Sequence, residues 1–376
     1  MNIKKMIILI IAAMLLLCSC KNTKTNSSSA GNSGEFGAGK INGNVMKVDS
    51  TTVRYIGRAY LDTSDIEMYF KNNYSGIEFS FKGTSLDANV RATAYSESGG
   101  PYIKVYIDNM EPKIFEVSTL GYINLAKDLE DKEHNVRIVK ITEANSGAIS
   151  ITELKISEGG KFLKPFDLPT DRKMVIIGDS ITCGFGNVYD PNDPKRDDKH
   201  PAGAEDGSLV YSVMASQMFQ AEPQVVAISG IGIARNAGGK EPHSGGALSM
   251  FNDSTYDFST FTPHVVVIAL GTNDAGAEDD ELRTDAIKFV ETVREKYPDA
   301  QIIWSYGLMG NSKEEVIKSV IEKFNSEGDN KISYLHHEMP TGDEGIGLYG
   351  HPSLATHERA ANELADKITE VTGWTR

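Results

Sequence analysis

Four short clusters in this 376-residue chain carry side chains fit for covalent chemistry. Ser180 lies in Gly178-Asp179-Ser180-Ile181-Thr182-Cys183-Gly184-Phe185-Gly186-Asn187, directly after the apolar run at 174–178. Ser229-Gly230-Ile231-Gly232, Gly271-Thr272-Asn273-Asp274 and His351-Pro352-Ser353 follow in that order. A serine at a strand-to-helix turn exposes its hydroxyl beside helix N-terminal amides. A neutral imidazole, with an ordinary pKa near ~6.5, is suited to take its proton at neutral pH. A hydroxyl, a base and neutral N–H donors are the parts that acyl transfer requires. The surroundings of Ser180 are not Gly-x-Ser-x-Gly, which excludes the ordinary α/β-hydrolase elbow.

The elements that must position these groups alternate in type. Strands are expected at 174–178, 224–229, 264–271, 301–307 and 331–336, and helices at 208–221, 279–297, 312–324 and 353–373. Alternation of this kind predicts a parallel sheet covered on both faces. Ligands in such sheets sit at the carboxyl ends of the strands, so functional residues should fall just after 177, 229, 270, 306 and 336. The clusters lie at these ends.

The part preceding this block has a different grammar. Between 48 and 163 the chain runs in short segments rich in Val, Ile, Tyr, Phe and Thr, such as "GIEFSFKG" and "YIKVYIDN", punctuated by Gly, Asn, Asp and Ser. This predicts about eight strands in a β-sandwich, with a jelly roll as the expected form. "LAKDLEDKEHNV" (125–136) reads as a loop. The expected organisation is a leader at 1–19, a flexible tether at 20–47, a jelly-roll β-sandwich at 48–165 and an α/β three-layer domain at 170–376, consistent with ~150 residues per domain.

In the leader, Lys4 and Lys5 precede an apolar run from Met6 to Leu17. That run is too short for a bilayer, which needs ~20 residues, but suits a secretory signal. Leu17-Cys18-Ser19-Cys20 resembles a bacterial lipobox, which implies acylation of Cys20 after cleavage; a plain secretory signal is the alternative. The chain is then expected to cross the cytoplasmic membrane and stay lipid-anchored at the bacterial envelope or surface, held by two acyl chains. The tether is rich in Gly, Ser, Asn and Thr and cannot bury enough surface to order itself. A formal net charge of −14 disfavours nucleic acid as a partner, and three cysteines give no disulfide framework.

Taken together and in order, the four clusters resemble the SGNH (GDSL-type) hydrolase superfamily over roughly 173–373. The resemblance implies Ser180 as nucleophile and His351 as base. It implies an oxyanion hole made by the Ser180 N–H, the Gly230 N–H and the Asn273 side-chain amide. Asp274 is expected to brace its loop, Cys183 to be a small buried hydrophobe and Trp304 to be core. Of the eight histidines, His134 lies in the β block, His200 and His243 in loops, His264 at the far end of the sheet and His357 inside the last helix. His336 and His337 remain possible bases, with a strand-end surface pair as the plainer reading. The superfamily places an aspartate two or three residues before its histidine, where this chain has Tyr349 and Leu348. A backbone carbonyl is therefore expected to receive the His351 Nδ1–H, with Asp343 or Glu344 as the alternative. Glu205-Asp206 is either a cleft rim or a solvated loop.

Longer phrases narrow the resemblance to carbohydrate esterase family 2: "GDSITCGFGN", "ISGIGIARN", "LGTND", "IIWSYGLMG" and "GHPSLATH", with "YIGRAYL", "FSFKGTSL", "VYIDN" and "EHNVRIVKITEANSG" in the β block. The family implies removal of acetyl groups from polysaccharides of the xylan and glucomannan type, with no metal or organic cofactor. Some relatives carry an aromatic sugar platform immediately before the histidine; here that position is Gly350, with Tyr349 one earlier. Two other readings stay open: a lipid- or thioester-acting GDSL-type hydrolase, and a non-catalytic glycan-binding lipoprotein.

Overall fold

A computed structural model describes residues 36–62, 67–93, 99–117, 121–199, 201–239, 246–342 and 345–376. The leader with its lipobox, Cys20, the first part of the tether, His200, His243, Asp343 and Glu344 lie outside the described residues.

The C-terminal part forms a five-stranded sheet. Its strands, in spatial order, are Glu222–Ala227, Lys173–Gly178, Val265–Ala269, Gln301–Tyr306 and Ile332–His336, all parallel. Side chains alternate across the pleat. Met174 and Ile176 join one core with Val213, Met214, Leu364 and Ile368 of the Tyr211–Met218 and Leu354–Thr372 helices. Val175 and Ile177 join a second core with Leu282, Phe289 and Val320 of the Asp279–Lys296 and Glu314–Ser326 helices. The sheet is thus buried on both faces, which is why its strands are mostly apolar rather than alternating. Chain order reverses at Lys173–Gly178, which lies between Glu222–Ala227 and Val265–Ala269, and the loops that leave the carboxyl ends of these three strands come together where such sheets bind their ligands. Those are the loops bearing Ser180, Gly230 and Asn273.

The N-terminal part is two antiparallel sheets, of seven and six strands, sharing one apolar core. Many strands are two to four residues long, such as Arg54–Ile56 and Lys161–Leu163, so more elements exist than the eight or so expected. On the long Ser75–Gly83 strand, Ile77, Phe79 and Phe81 point into that core. The outer face of the six-stranded sheet is buried as well: Tyr106 and Val139 pack into the first core of the α/β part.

Three expectations need correction here. The tether does not run to 47: Ile41–Asn42 and Val45–Lys47 form a hairpin, and Val45–Lys47 pairs with Glu153–Lys155. Met46 supplies the reason, being fully buried between the sheets. The segment 125–136 is loop only between two strands, Gly121–Ala126 and Lys132–Lys140; Val136 and Ile138 anchor the latter in the core. The 208–221 helix is shorter, Tyr211–Met218, preceded by a 3-10 turn at Gly207–Leu209 whose first N–H groups Asp206 caps.

Candidate active site

Ser180 opens the one-turn helix Ser180–Cys183 directly after the first strand. Asp179 caps it by accepting the Ile181 N–H, and Gly184 ends it in the left-handed conformation. Among the described residues, neither the Ser180 N–H nor the Gly230 N–H has a hydrogen-bond acceptor, so both amides are free to donate. Gly230 has φ +79°, while a Cβ there would meet Ala237 only at an ordinary 3.5 Å. Backbone conformation, not crowding, is what asks for glycine at this position.

His351 comes from the loop before the last helix. Its Nε2 accepts the Ser180 hydroxyl at 2.8 Å, and its Nδ1–H donates to the Leu348 carbonyl at 3.2 Å. Burial lowers its pKa against the opposing pull of the Leu348 and Tyr349 carbonyls, so the ring is neutral at neutral pH. The loop is stitched to the segment following Ser180: Leu348 N–H donates to Gly186, and Leu354 N–H to Asn187. An added Cβ on Gly186 would strike the Leu348 backbone at 2.8 Å, and one on Gly347 the Gly186 carbonyl at 2.2 Å. These two glycines let the nucleophile loop and the histidine loop touch.

Asn273 departs from its expected role in one respect. Its Nδ2 hydrogens are already engaged, with the Ile231 carbonyl at 2.8 Å and Asp179 at 3.2 Å. The amide therefore ties the Gly230 loop to the Ser180 turn, and donating to an oxyanion requires giving up the longer bond. Asp179 is fully buried, and burial pushes its carboxyl up to about 7, with Asp274 adding to the shift. Asp274 accepts the Ile233, Ala234 and Arg235 N–H groups and so fixes the loop after the second strand.

His337 is not part of a surface pair. It is buried, unlike half-exposed His336; its Nδ1–H donates to Glu363 at 2.5 Å, and its Nε2 accepts the Ser305 hydroxyl at 2.8 Å. This is a second serine–histidine pair, here with a carboxylate as third member, and both Ser305 and His337 are buried beside a small pocket of about 10 Å³. Such a space holds a water at most. Ser180 is buried too, at 7% exposed, but His351 is only partly buried, which leaves it the more exposed of the two imidazoles. Glu205 and Asp206 are neither rim nor solvated: both are buried, and Asp206 pairs with Lys104 of the β part at 2.8 Å. Cys183 and Trp304 are buried. Among the described residues no group of three or more His, Cys, Asp or Glu side chains is arranged to hold a metal ion.

Sequence reasoning missed one aromatic feature. Phe185 lies against His351 with ring centres 4.8 Å apart and stacks with Tyr349 at 6.3 Å. Tyr349 is 66% exposed and sits at φ +51°. Its position two before His351 was the available signal.

A serine hydroxyl bonded to a neutral imidazole at the carboxyl end of a parallel strand, with amides lacking acceptors in the Ser180 turn and in the loop after the neighbouring strand, is the constellation of a serine acyl-hydrolase. The chain belongs to the GDSL-like lipase/acylhydrolase family, whose model matches residues 176–371. Residues 55–165 match the carbohydrate esterase 2 N-terminal model, so the likeness to carbohydrate esterase family 2 holds in both parts. The chain is 28% identical over 319 residues to cellulase/esterase CelE of Acetivibrio thermocellus, covering 80% of this chain and 37% of that protein. It is 24% identical to an acetylxylan esterase/glucomannan deacetylase of Cellvibrio japonicus, with 98% of each chain covered. A family two carbohydrate esterase from Clostridium thermocellum, solved in complex with cellohexaose, superposes with a TM-score of 0.75 at 27% identity, covering 86% of this chain and 100% of that one.

Proposed function

We propose that this protein is a serine esterase that removes O-acetyl groups from polysaccharides of the xylan or glucomannan type. Ser180 attacks the acetyl carbonyl while His351 takes its proton. The oxyanion is held by the Ser180 and Gly230 N–H groups with help from the Asn273 amide. His351 then returns the proton to the departing sugar hydroxyl, and water, activated by the same ring, releases acetate. The Leu348 carbonyl, which accepts the His351 Nδ1–H, holds the ring's tautomer. The observation that carries the reading is the 2.8 Å contact between Ser180 Oγ and His351 Nε2. The relatives named as acetylxylan esterase and glucomannan deacetylase support the substrate class. Acetate release from acetylated xylan and glucomannan tests it, with Ser180→Ala as the control. A preference for acyl chains of eight or more carbons would favour a lipid-acting hydrolase, and no turnover at all a glycan-binding protein.

We read the two-sheet N-terminal part as a jelly roll; its match to the carbohydrate esterase 2 N-terminal model supports this. The lipobox-like Leu17-Cys18-Ser19-Cys20 supports a protein exported and anchored at the cell envelope through lipid on Cys20. Replacement of Cys20 by alanine should then move the protein from the membrane fraction to the soluble one.

A further inference from the structure

Glu143 belongs to the β part, in the turn after the Lys132–Lys140 strand, yet its carboxylate ends inside the α/β part. It is buried, and its Oε2 accepts the Ser229 backbone N–H at 2.9 Å. The same oxygen lies 3.9 Å from the Cys183 thiol, which donates to it. Burial and the nearby Glu143 and Glu205 carboxylates push the Cys183 thiol well above its ordinary pKa, so it stays a donor. Ser229 immediately precedes Gly230, and Cys183 is the last residue of the helix that begins at Ser180. One oxygen of one side chain therefore touches both segments that carry these two amides without acceptors. A neighbour from the same part assists: Asn73 Nδ2 donates to the Thr182 carbonyl at 3.0 Å. Glu143 is itself held from behind, where Lys140 Nζ donates to its backbone carbonyl at 2.6 Å and Asn145 Nδ2 to its Oε2 at 3.1 Å.

We propose that Glu143 is a positioning residue, through which the β part sets the separation of the Ser180 and Gly230 amides and hence the shape of the oxyanion hole. The proposal rests on the esterase reading above. The bond to Ser229 pins a peptide plane whose neighbour, Gly230, is held at φ +79°. A loop released there has many conformations in which its N–H points away, and displacements of about 1 Å at a reacting centre can cost 10²-fold in rate. The β part is on this view a component of the catalytic apparatus, independent of any sugar it binds.

The test compares wild type, Glu143→Asp, Glu143→Met and Glu143→Gln on 4-nitrophenyl acetate, at a temperature where circular dichroism shows each fully folded. Aspartate is one methylene short of Ser229, and methionine keeps the bulk without an acceptor. Both should lower kcat by about 10- to 100-fold with KM within about threefold. Glutamine keeps a carbonyl oxygen in reach and should stay within about threefold of wild type. The acid limb of kcat/KM should not move in any variant, because His351 is untouched. A kcat within threefold of wild type for aspartate and methionine, or a glutamine loss equal to theirs, overturns the proposal. Equal turnover by Ser180→Ala and wild type would instead overturn the esterase reading, and this proposal with it.

Discussion

His351 and Ser180 are 171 positions apart in the chain and meet at 2.8 Å, the ring braced on its other side by the Leu348 backbone carbonyl. Burial holds the His351 pKa below its usual value. A base must be neutral to act, so kcat/KM is flat above that pKa and falls as pH drops through it. The acid limb should have its midpoint below the free-imidazole value of ~6.5. A pH–rate profile with 4-nitrophenyl acetate checks this; a rate flat down to pH 4 removes His351 as the base.

Asn273 links Ile231 to Asp179. Asn273→Ala should lower kcat by roughly 10²–10³-fold, the usual cost of an oxyanion donor. A loss under about tenfold would mean that the Ser180 and Gly230 amides suffice.

Tyr349 presents an exposed ring that continues the Phe185–His351 stack. Because φ is +51°, asparagine is the suitable replacement, since it tolerates that conformation. Tyr349→Asn should raise KM for acetylated polysaccharide by about 3- to 10-fold, in line with ~0.5–1.5 kcal/mol for a stacked ring. KM for 4-nitrophenyl acetate should rise much less. Equal changes on both substrates would deny the ring a role in holding sugar.

Lys104 is a buried ammonium whose charge Asp206 maintains: burial alone would lower its pKa, and the carboxylate with Tyr106 raises it. Lys104→Ala leaves Asp206 as an unpaired buried charge, which typically costs roughly 3–5 kcal/mol. Urea unfolding should show that loss, and adding Asp206→Asn should recover part of it. Additive losses would mean the two residues are not coupled.

Local pattern carried the α/β half. The strands at 174–178, 264–271 and 301–307 are mostly apolar, with polar residues only at His264, Gln301 and Ser305, because both sheet faces are covered, and such runs announce themselves. The four clusters at their ends follow from the same regularity, since loops at the carboxyl ends are where that sheet has room for chemistry. The antiparallel half was legible in type but not in count, because its shortest strands, such as Arg54–Ile56, owe their form to partners far away in sequence. Met46 shows the same limit: its neighbours read as tether, and only the sheet they join buries it.

The sequence by itself determined the residue types, their order and the strand ends on which they fall, because these depend on short-range periodicity. Tertiary structure decided which imidazole faces the serine. His337 and His351 each have a serine within reach, yet packing buries His337 fully and leaves His351 only partly buried. It also decided that a carboxylate from the β half, Glu143, reaches Ser229 beside Gly230. Contacts between residues 86 positions apart depend on how two domains dock, and no local pattern encodes that.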